Sequence, residues 1–354
     1  MSAETLYHLD KSFEENVTFG PFWNGKIETP TSPHKTTFLG HKLNSAFGVA
    51  ACPLTVNSRH VSLLSRLGYD LITYKSVRSR EWRGNPAPHW QYVDIAEQLS
   101  LSSLATAVMA SFEPFDNAEP SMANSFGIQS VKPEYWQEDV DLAVSNLSKG
   151  QLLMLSLMCT PQEGESLVED AKRLAKMARE TSATVFELNL ACPNTDGGEG
   201  LIYEDVDRSV KLLTVMKKVL GPKRHLLAKV GHYFQPQKMR EFLEKTRGII
   251  SGVASTNTYS MNIRTTNDQD AFPGRPTAGV SGAAIRSLSQ QQAKELVRLK
   301  QELSLDDLMV IGIGGVTKRR HIREYFDLGV DAVQSAVGVF ADPLLASKYK
   351  KGKK

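Results

Sequence analysis

Leu153-Met154-Leu155-Ser156-Leu157-Met158 and Val185-Phe186-Glu187-Leu188-Asn189-Leu190 bracket a stretch in which Leu167, Ala171, Leu174, Ala175 and Ala178 recur at helical spacing. The flanking runs are nearly continuous in apolar residues, as strands buried on both faces must be. The residues between them gather their apolar side chains on one stripe of a helix. Glu169 precedes Arg173 by four, which supports an exposed helical face. Strand, amphipathic helix and strand together give the rhythm of a parallel sheet joined by crossovers.

The same rhythm extends in both directions. Further strands are expected at Phe47 to Ala51, Asp70 to Lys75, Leu226 to Val230, Ile250 to Ser255, Leu308 to Ile313 and Asp331 to Ser335. A second helix runs from about Asp205 to Leu220 and stops at Gly221-Pro222, a residue tolerant of left-handed φ followed by a helix breaker. Eight strands separated by helices predict an α/β chain folded as a (β/α)8 TIM barrel, with an open doubly wound sheet as the alternative that counting leaves. The expectation is one domain over residues 1–354. It carries an N-terminal extension, a long insertion at about 90–122 over the barrel mouth, and a basic disordered tail at about 347–354.

The chain has 354 residues, 41% hydrophobic and 23% charged, and no apolar run approaches the roughly 18 residues of a membrane span. Five lysines fall in the last seven residues, so removing them from the formal charge of +3 leaves a body at −2. That balance offers no broad basic surface for nucleic acid. Three widely spaced cysteines (Cys52, Cys159, Cys192) fit reduced thiols, and residues 1–22 show neither a secretory nor a transit pattern. A cytoplasmic protein is expected.

Barrel active sites form where strands end at the carboxyl face. The residues expected there are Lys75 and Ser76, Asn189, Cys192 and Asn194, Lys229, Asn257 and Thr258, and Gly314 and Gly315. Asn189-Leu190-Ala191-Cys192-Pro193-Asn194 is the sharpest piece, because two amides bracket a thiol beyond a buried strand. An amide matches the alternating N–H and C=O edge of a pyrimidine, and a partly ionised thiol can remove a carbon-bound proton. The bland alternative is a strand-end turn with a buried thiol. Gly312-Ile313-Gly314-Gly315 and Ser335-Ala336-Val337-Gly338 suit a phosphate cradle near strands seven and eight, with further backbone donors in Ala278-Gly279-Val280-Ser281-Gly282.

From about Asn44 to Asp342 the chain resembles the dihydroorotate dehydrogenases, closest to the soluble class 1 branch, and also looks like the FMN domain of dihydropyrimidine dehydrogenase. The carriers are Tyr74-Lys75-Ser76, Arg83-Gly84-Asn85-Pro86-Ala87-Pro88, Asn124-Ser125-Phe126-Gly127-Ile128, the Cys192 hexapeptide, Ala228-Lys229-Val230, Thr256-Asn257-Thr258, Gly279-Val280-Ser281-Gly282 and Gly312-Ile313-Gly314-Gly315-Val316. The resemblance implies an FMN enzyme of pyrimidine biosynthesis that oxidises dihydroorotate, with Cys192 taking the C5 proton while hydride passes from C6 to flavin N5. It implies that Lys75, Ser76, Asn189 and Lys229 contact the flavin, and that Ala50 and Ala51 underlie it. Gly282, Gly314, Gly315, Ala336 and Val337 then hold its phosphate. It further implies that Asn124, Asn189, Asn194, Asn257 and Thr258 bind the pyrimidine, with Lys75 and the Gly127 and Ile128 backbone at a carboxylate.

Several features depart from that pattern. Ala50-Ala51 stands where a Ser-Gly pair is usual, and His89 stands where class 1 members carry arginine, which predicts a pH-dependent charge near the substrate. The long insertion and short C-terminus also differ. Asn257 and Gly279 look more like dihydropyrimidine dehydrogenase, so another FMN-dependent pyrimidine oxidoreductase is the runner-up. tRNA reduction and a non-catalytic flavoprotein are further alternatives. Fumarate as electron acceptor and a homodimer are implied by the family alone, and no iron–sulfur cysteine pattern is present.

Overall fold

The computed structural model of the chain describes residues 5–27, 32, 34–191 and 201–352. Eight parallel strands close into a ring: β1 (Phe47–Val49), β2 (Leu71–Val77), β3 (Leu152–Leu157), β4 (Val185–Asn189), β5 (His225–Val230), β6 (Gly252–Ser255), β7 (Met309–Ile313) and β8 (Ala332–Ser335). Strands follow one another around the ring in chain order, and Val333 of β8 pairs with Phe47 of β1. The closed barrel is therefore the architecture, and the open sheet is excluded.

Local sequence explains where the helices begin and end. The helix Leu167–Glu180 starts at Ser166, whose hydroxyl accepts from the Glu169 N–H at 3.3 Å while the Glu169 carboxylate accepts from the Ser166 N–H at 2.9 Å. Such a reciprocal cap satisfies two orphan donors. Asp205 caps Val206–Leu220 by accepting from Arg208 N–H at 3.0 Å, and Gly221 ends it at φ +83°. Both helices bury their apolar stripe against the barrel.

At the amino ends of the strands, a hairpin of Thr36–Phe38 and His41–Leu43 plugs the ring. Phe38, Leu39 and Leu43 pack there against Leu71, Leu152, Val185, Leu227 and Ile311. With that end sealed by apolar side chains, ligands enter from the opposite face.

The expected insertion contains strands of its own, Trp90–Val93, Val108–Ser111 and Ser121–Asn124. They join a second excursion after β6, the hairpin Tyr259–Arg264 and Thr277–Gly282, in a small five-stranded closed sheet. The glycine-containing run expected to supply backbone donors lies in the strand Thr277–Gly282.

The C-terminal expectation needs correction. Leu345–Lys351 is a short helix rather than a disordered tail, with Tyr349 stacked on His34 at 4.5 Å and the Lys350 ammonium 2.6 Å from Asp70. Leu345, Ala346, Tyr349 and Lys350 are all buried, so this segment puts an apolar face and one paired cation against the barrel. Counting lysines obscured that face.

Candidate active site

The carboxyl ends of the strands and the small sheet enclose a cleft of about 1110 Å³, part of it open to solvent. Ala50 and Ala51 reach it after β1, Lys75 and Ser76 from β2, Asn189 from β4, Lys229 from β5, and Asn257 and Thr258 after β6. Gly314 and Gly315 follow β7, Ala336 and Val337 follow β8, and Asn124, Gly127, Ile128 and Gly282 come from the small sheet and its loops. Cys192 and Asn194 lie outside the described residues. All the other expected site residues line this one cleft.

Consecutive Lys75 and Ser76 both face the cleft, which an undisturbed strand does not allow. The β2–β3 pairing shifts register between Tyr74 and Val77, and such an irregularity breaks the alternation of faces. Ser76 Oγ is then held 2.8 Å from Ser156 Oγ.

A linked set of amides sits above β4 and β6. The Asn257 amide nitrogen donates to Asn189 Oδ1 at 3.4 Å and to the Ala191 carbonyl, while Asn257 Oδ1 accepts from Thr258 N–H at 2.8 Å. Asn189 Oδ1 also accepts from Ala191 N–H at 3.1 Å. These bonds fix the orientation of both carboxamides. Asn124 donates to the Gly279 carbonyl at 3.1 Å, tying its strand to the hairpin opposite.

Glu187, Cys52, Trp90 and Phe126 also line the cleft and were not anticipated. Glu187 could have been found, because it is the one ionisable residue inside a strand that otherwise reads as apolar. Its Oε2 has no hydrogen-bond partner among the described residues. Lys229 is equally buried; desolvation lowers its pKa, and the Glu187 carboxylate opposes that shift. Burial pushes the Cys52 thiol up to about 12 despite Lys75 and Lys229 nearby, so it is a neutral thiol at pH 7.

His89 does not line the cleft. It stacks behind Phe126, with ring centroids 5.2 Å apart, and its Nε2 donates to the Asn85 carbonyl at 2.8 Å. Burial lowers its pKa, and because the ring lies behind Phe126 rather than at the cleft wall, the expectation of a His89 charge beside the substrate is corrected.

Residues 114–353 match the family model of dihydroorotate dehydrogenase. A dihydroorotate dehydrogenase of Dictyostelium discoideum is 32% identical over 357 residues, covering 97% of this chain and 96% of that protein. The chain belongs to the dihydroorotate dehydrogenase family. Two further relatives share less identity with it. A dihydroorotate dehydrogenase (quinone) of Bordetella pertussis is 26% identical across 97% of this chain and 90% of that protein. A dihydroorotate dehydrogenase B (NAD(+)) catalytic subunit of Oceanobacillus iheyensis is 25% identical across 71% and 81%.

Dihydroorotate dehydrogenases are flavin-dependent oxidoreductases acting on CH–CH bonds, and the cleft has the chemistry to hold a flavin. At one end Gly282, Gly314 and Gly315 line the cleft with φ of +93°, +126° and +68°, and a Cβ there would run into Pro120, Ser289 and Arg286, so these positions offer an anion only backbone. Deeper in, the buried Lys229 ammonium and the orphaned Glu187 oxygen are polar groups that a polar ring edge can satisfy.

Proposed function

We propose that this chain oxidises dihydroorotate to orotate, with FMN as its resident cofactor and Cys192 as the base. The observation that carries this reading is the Asn124–Ile128 loop, which lines the same cleft as Lys75. Gly127 and Ile128 are buried and line the cleft, and no hydrogen bond is found from either backbone N–H among the described residues. Buried N–H groups without partners are rare, and two of them in a cleft that Lys75 also lines suit a carboxylate.

Lys229 and Asn189 face the flavin ring system, with Lys75 and Ser76 beside them. Gly282, Gly314, Gly315, Ala336 and Val337 hold the phosphate, and Ala50 and Ala51 support the ring from β1. Asn124, Asn189, Asn194, Asn257 and Thr258 read the donors and acceptors of the pyrimidine, because a carboxamide offers both kinds of group. Cys192 takes the proton from C5 as the C5–C6 double bond forms. FMN, when bound, supplies the acceptor for the hydride leaving C6. The neutral state of Cys52 supports assigning the base to Cys192.

No helix among the described residues is long and apolar enough to cross a membrane. A cytoplasmic location belongs to the same proposal, supported by the free thiol at Cys52. The test is anaerobic titration of the FMN-loaded protein. Dihydroorotate is expected to bleach the flavin absorbance, whereas bleaching by dihydrouracil in its place assigns the protein to the runner-up pyrimidine chemistry.

A further inference from the structure

Ile128 is a β-branched residue at φ +52°, directly after Gly127 at φ +67°. A non-glycine side chain in the left-handed region is strained and persists only where its surroundings impose it. What imposes it here is Arg78, a residue that does not line the cleft and is 1% exposed. Its Nε donates to the Ile128 carbonyl at 2.8 Å and its Nη2 to the Gly127 carbonyl at 3.1 Å, while Nη1 donates to Thr160 Oγ1. Trp82 completes the grip. Its indole N–H donates to the same Gly127 carbonyl at 3.1 Å, and the Arg78 guanidinium lies 4.8 Å from its ring.

The direction of the N–H groups follows from peptide geometry. In a trans peptide the C=O and the next N–H point in opposite directions. The peptide joining Gly127 to Ile128 is not among the cis bonds of the chain. With the Gly127 carbonyl turned to Arg78 and Trp82, the Ile128 N–H is turned away from them. The Phe126 carbonyl is held in the same manner by the Asn85 N–H at 2.9 Å, which directs the Gly127 N–H to the opposite side. Arg78 is itself fixed to the barrel. It directly follows β2, its N–H donates to Ser130 Oγ at 3.0 Å, and its carbonyl accepts from the Trp136 indole at 3.0 Å.

We propose that Arg78, assisted by Trp82, is a positioning residue that aims the Gly127 and Ile128 N–H groups at the carboxylate of the substrate. This rests on the dihydroorotate reading above. Arg78 acts through the peptide and does not touch the ligand. A guanidinium suits the task because its planar fork engages two adjacent carbonyls at once, which the single ammonium of lysine cannot reproduce.

Calorimetric binding of orotate and of uracil to the FMN-loaded protein, in wild type and in Arg78→Met, Arg78→Lys and Trp82→Phe, tests this. Uracil lacks the carboxylate and reports everything else. Arg78→Met is expected to weaken orotate binding by about tenfold to hundredfold, with uracil changed less than about threefold. Arg78→Lys is expected to stay weak for orotate, because charge without the fork does not hold the peptide. Wild-type preference for orotate persisting in Arg78→Met overturns the role of Arg78 and leaves the substrate reading standing. Full rescue by Arg78→Lys also overturns it, in favour of a simple charge effect. A wild type that binds uracil as well as orotate removes both. Should Arg78→Met fail to retain FMN, Trp82→Phe decides: a loss of about threefold or more for orotate alone supports the proposal, and no loss contradicts it.

Discussion

Lys350, the fifth residue counted back from Lys354, places its ammonium 2.6 Å from the Asp70 carboxylate, with the two side chains 2% and 0% exposed. Asp70 directly precedes β2 and also accepts from Ser45 Oγ at 2.7 Å and Gln151 Nε2 at 3.2 Å. The last helix is therefore locked to the barrel by a buried ion pair. Removing one partner of such a pair leaves an uncompensated buried charge and costs about 3 to 5 kcal/mol. Lys350→Ala is expected to lower the denaturant midpoint sharply, whereas Lys348→Ala, at the exposed pair with Asp342, costs under about 1 kcal/mol. Equal effects from the two variants contradict the lock.

His60 carries a pH dependence with a definite sign. Its Nδ1 is bonded to Asn57 Oδ1 at 2.7 Å, its Nε2 is buried without a partner, and burial lowers its pKa to about 3. The folded state thus refuses a proton that the unfolded chain accepts below about 6.5. Stability is fully present above that pH and declines on acidification, by up to about 1.4 kcal/mol per pH unit until the folded pKa is reached. Denaturation of wild type and His60→Asn between pH 7 and 4 checks this. The variant is expected to show the shallower slope, and parallel slopes count against His60 as the source.

Glu187 and Lys229 make a second pH prediction. Burial disfavours the Lys229 ammonium and Glu187 supports it. In Glu187→Gln that support is gone, so Lys229 loses its proton at a lower pH than in wild type. Flavin affinity that depends on the ammonium is then expected to fall at a lower pH in the variant, read as the FMN dissociation constant across pH 7 to 10. Superimposable profiles exclude the coupling.

Gly127 has little room for a side chain. A Cβ there meets Asn85 Oδ1 at 2.7 Å, and φ is +67°. Gly127→Ala is expected to weaken orotate binding by about tenfold or more through displacement of the loop, with FMN content retained. Unaltered orotate affinity separates this loop from substrate recognition.

How much of this was readable in advance depended on how loudly each element speaks in sequence. The eight barrel strands are buried on both faces, so Leu153–Met158 or Val185–Leu190 reads as a continuous apolar run, and observed ends agree within two residues. The small sheet was quieter. Tyr259–Arg264 alternates buried and less buried positions over only six residues, and beyond its hairpin with Thr277–Gly282 its other partner, Val108–Ser111, comes from a distant insertion, so the sheet as a whole was not visible locally. Arg78 was unreadable for a different reason: nothing in its neighbours along the chain shows that it grips carbonyls some fifty residues away. Glu187 was legible and overlooked.

The most direct test of the account is stopped-flow reduction of bound flavin by dihydroorotate under anaerobic conditions, comparing wild type with Cys192→Ala at equal FMN content. Loss of a general base predicts reduction slowed by about 10² to 10⁴-fold with orotate affinity largely retained. Reduction at the wild-type rate in Cys192→Ala contradicts the assignment of the base, and no reduction in wild type contradicts the proposed function itself.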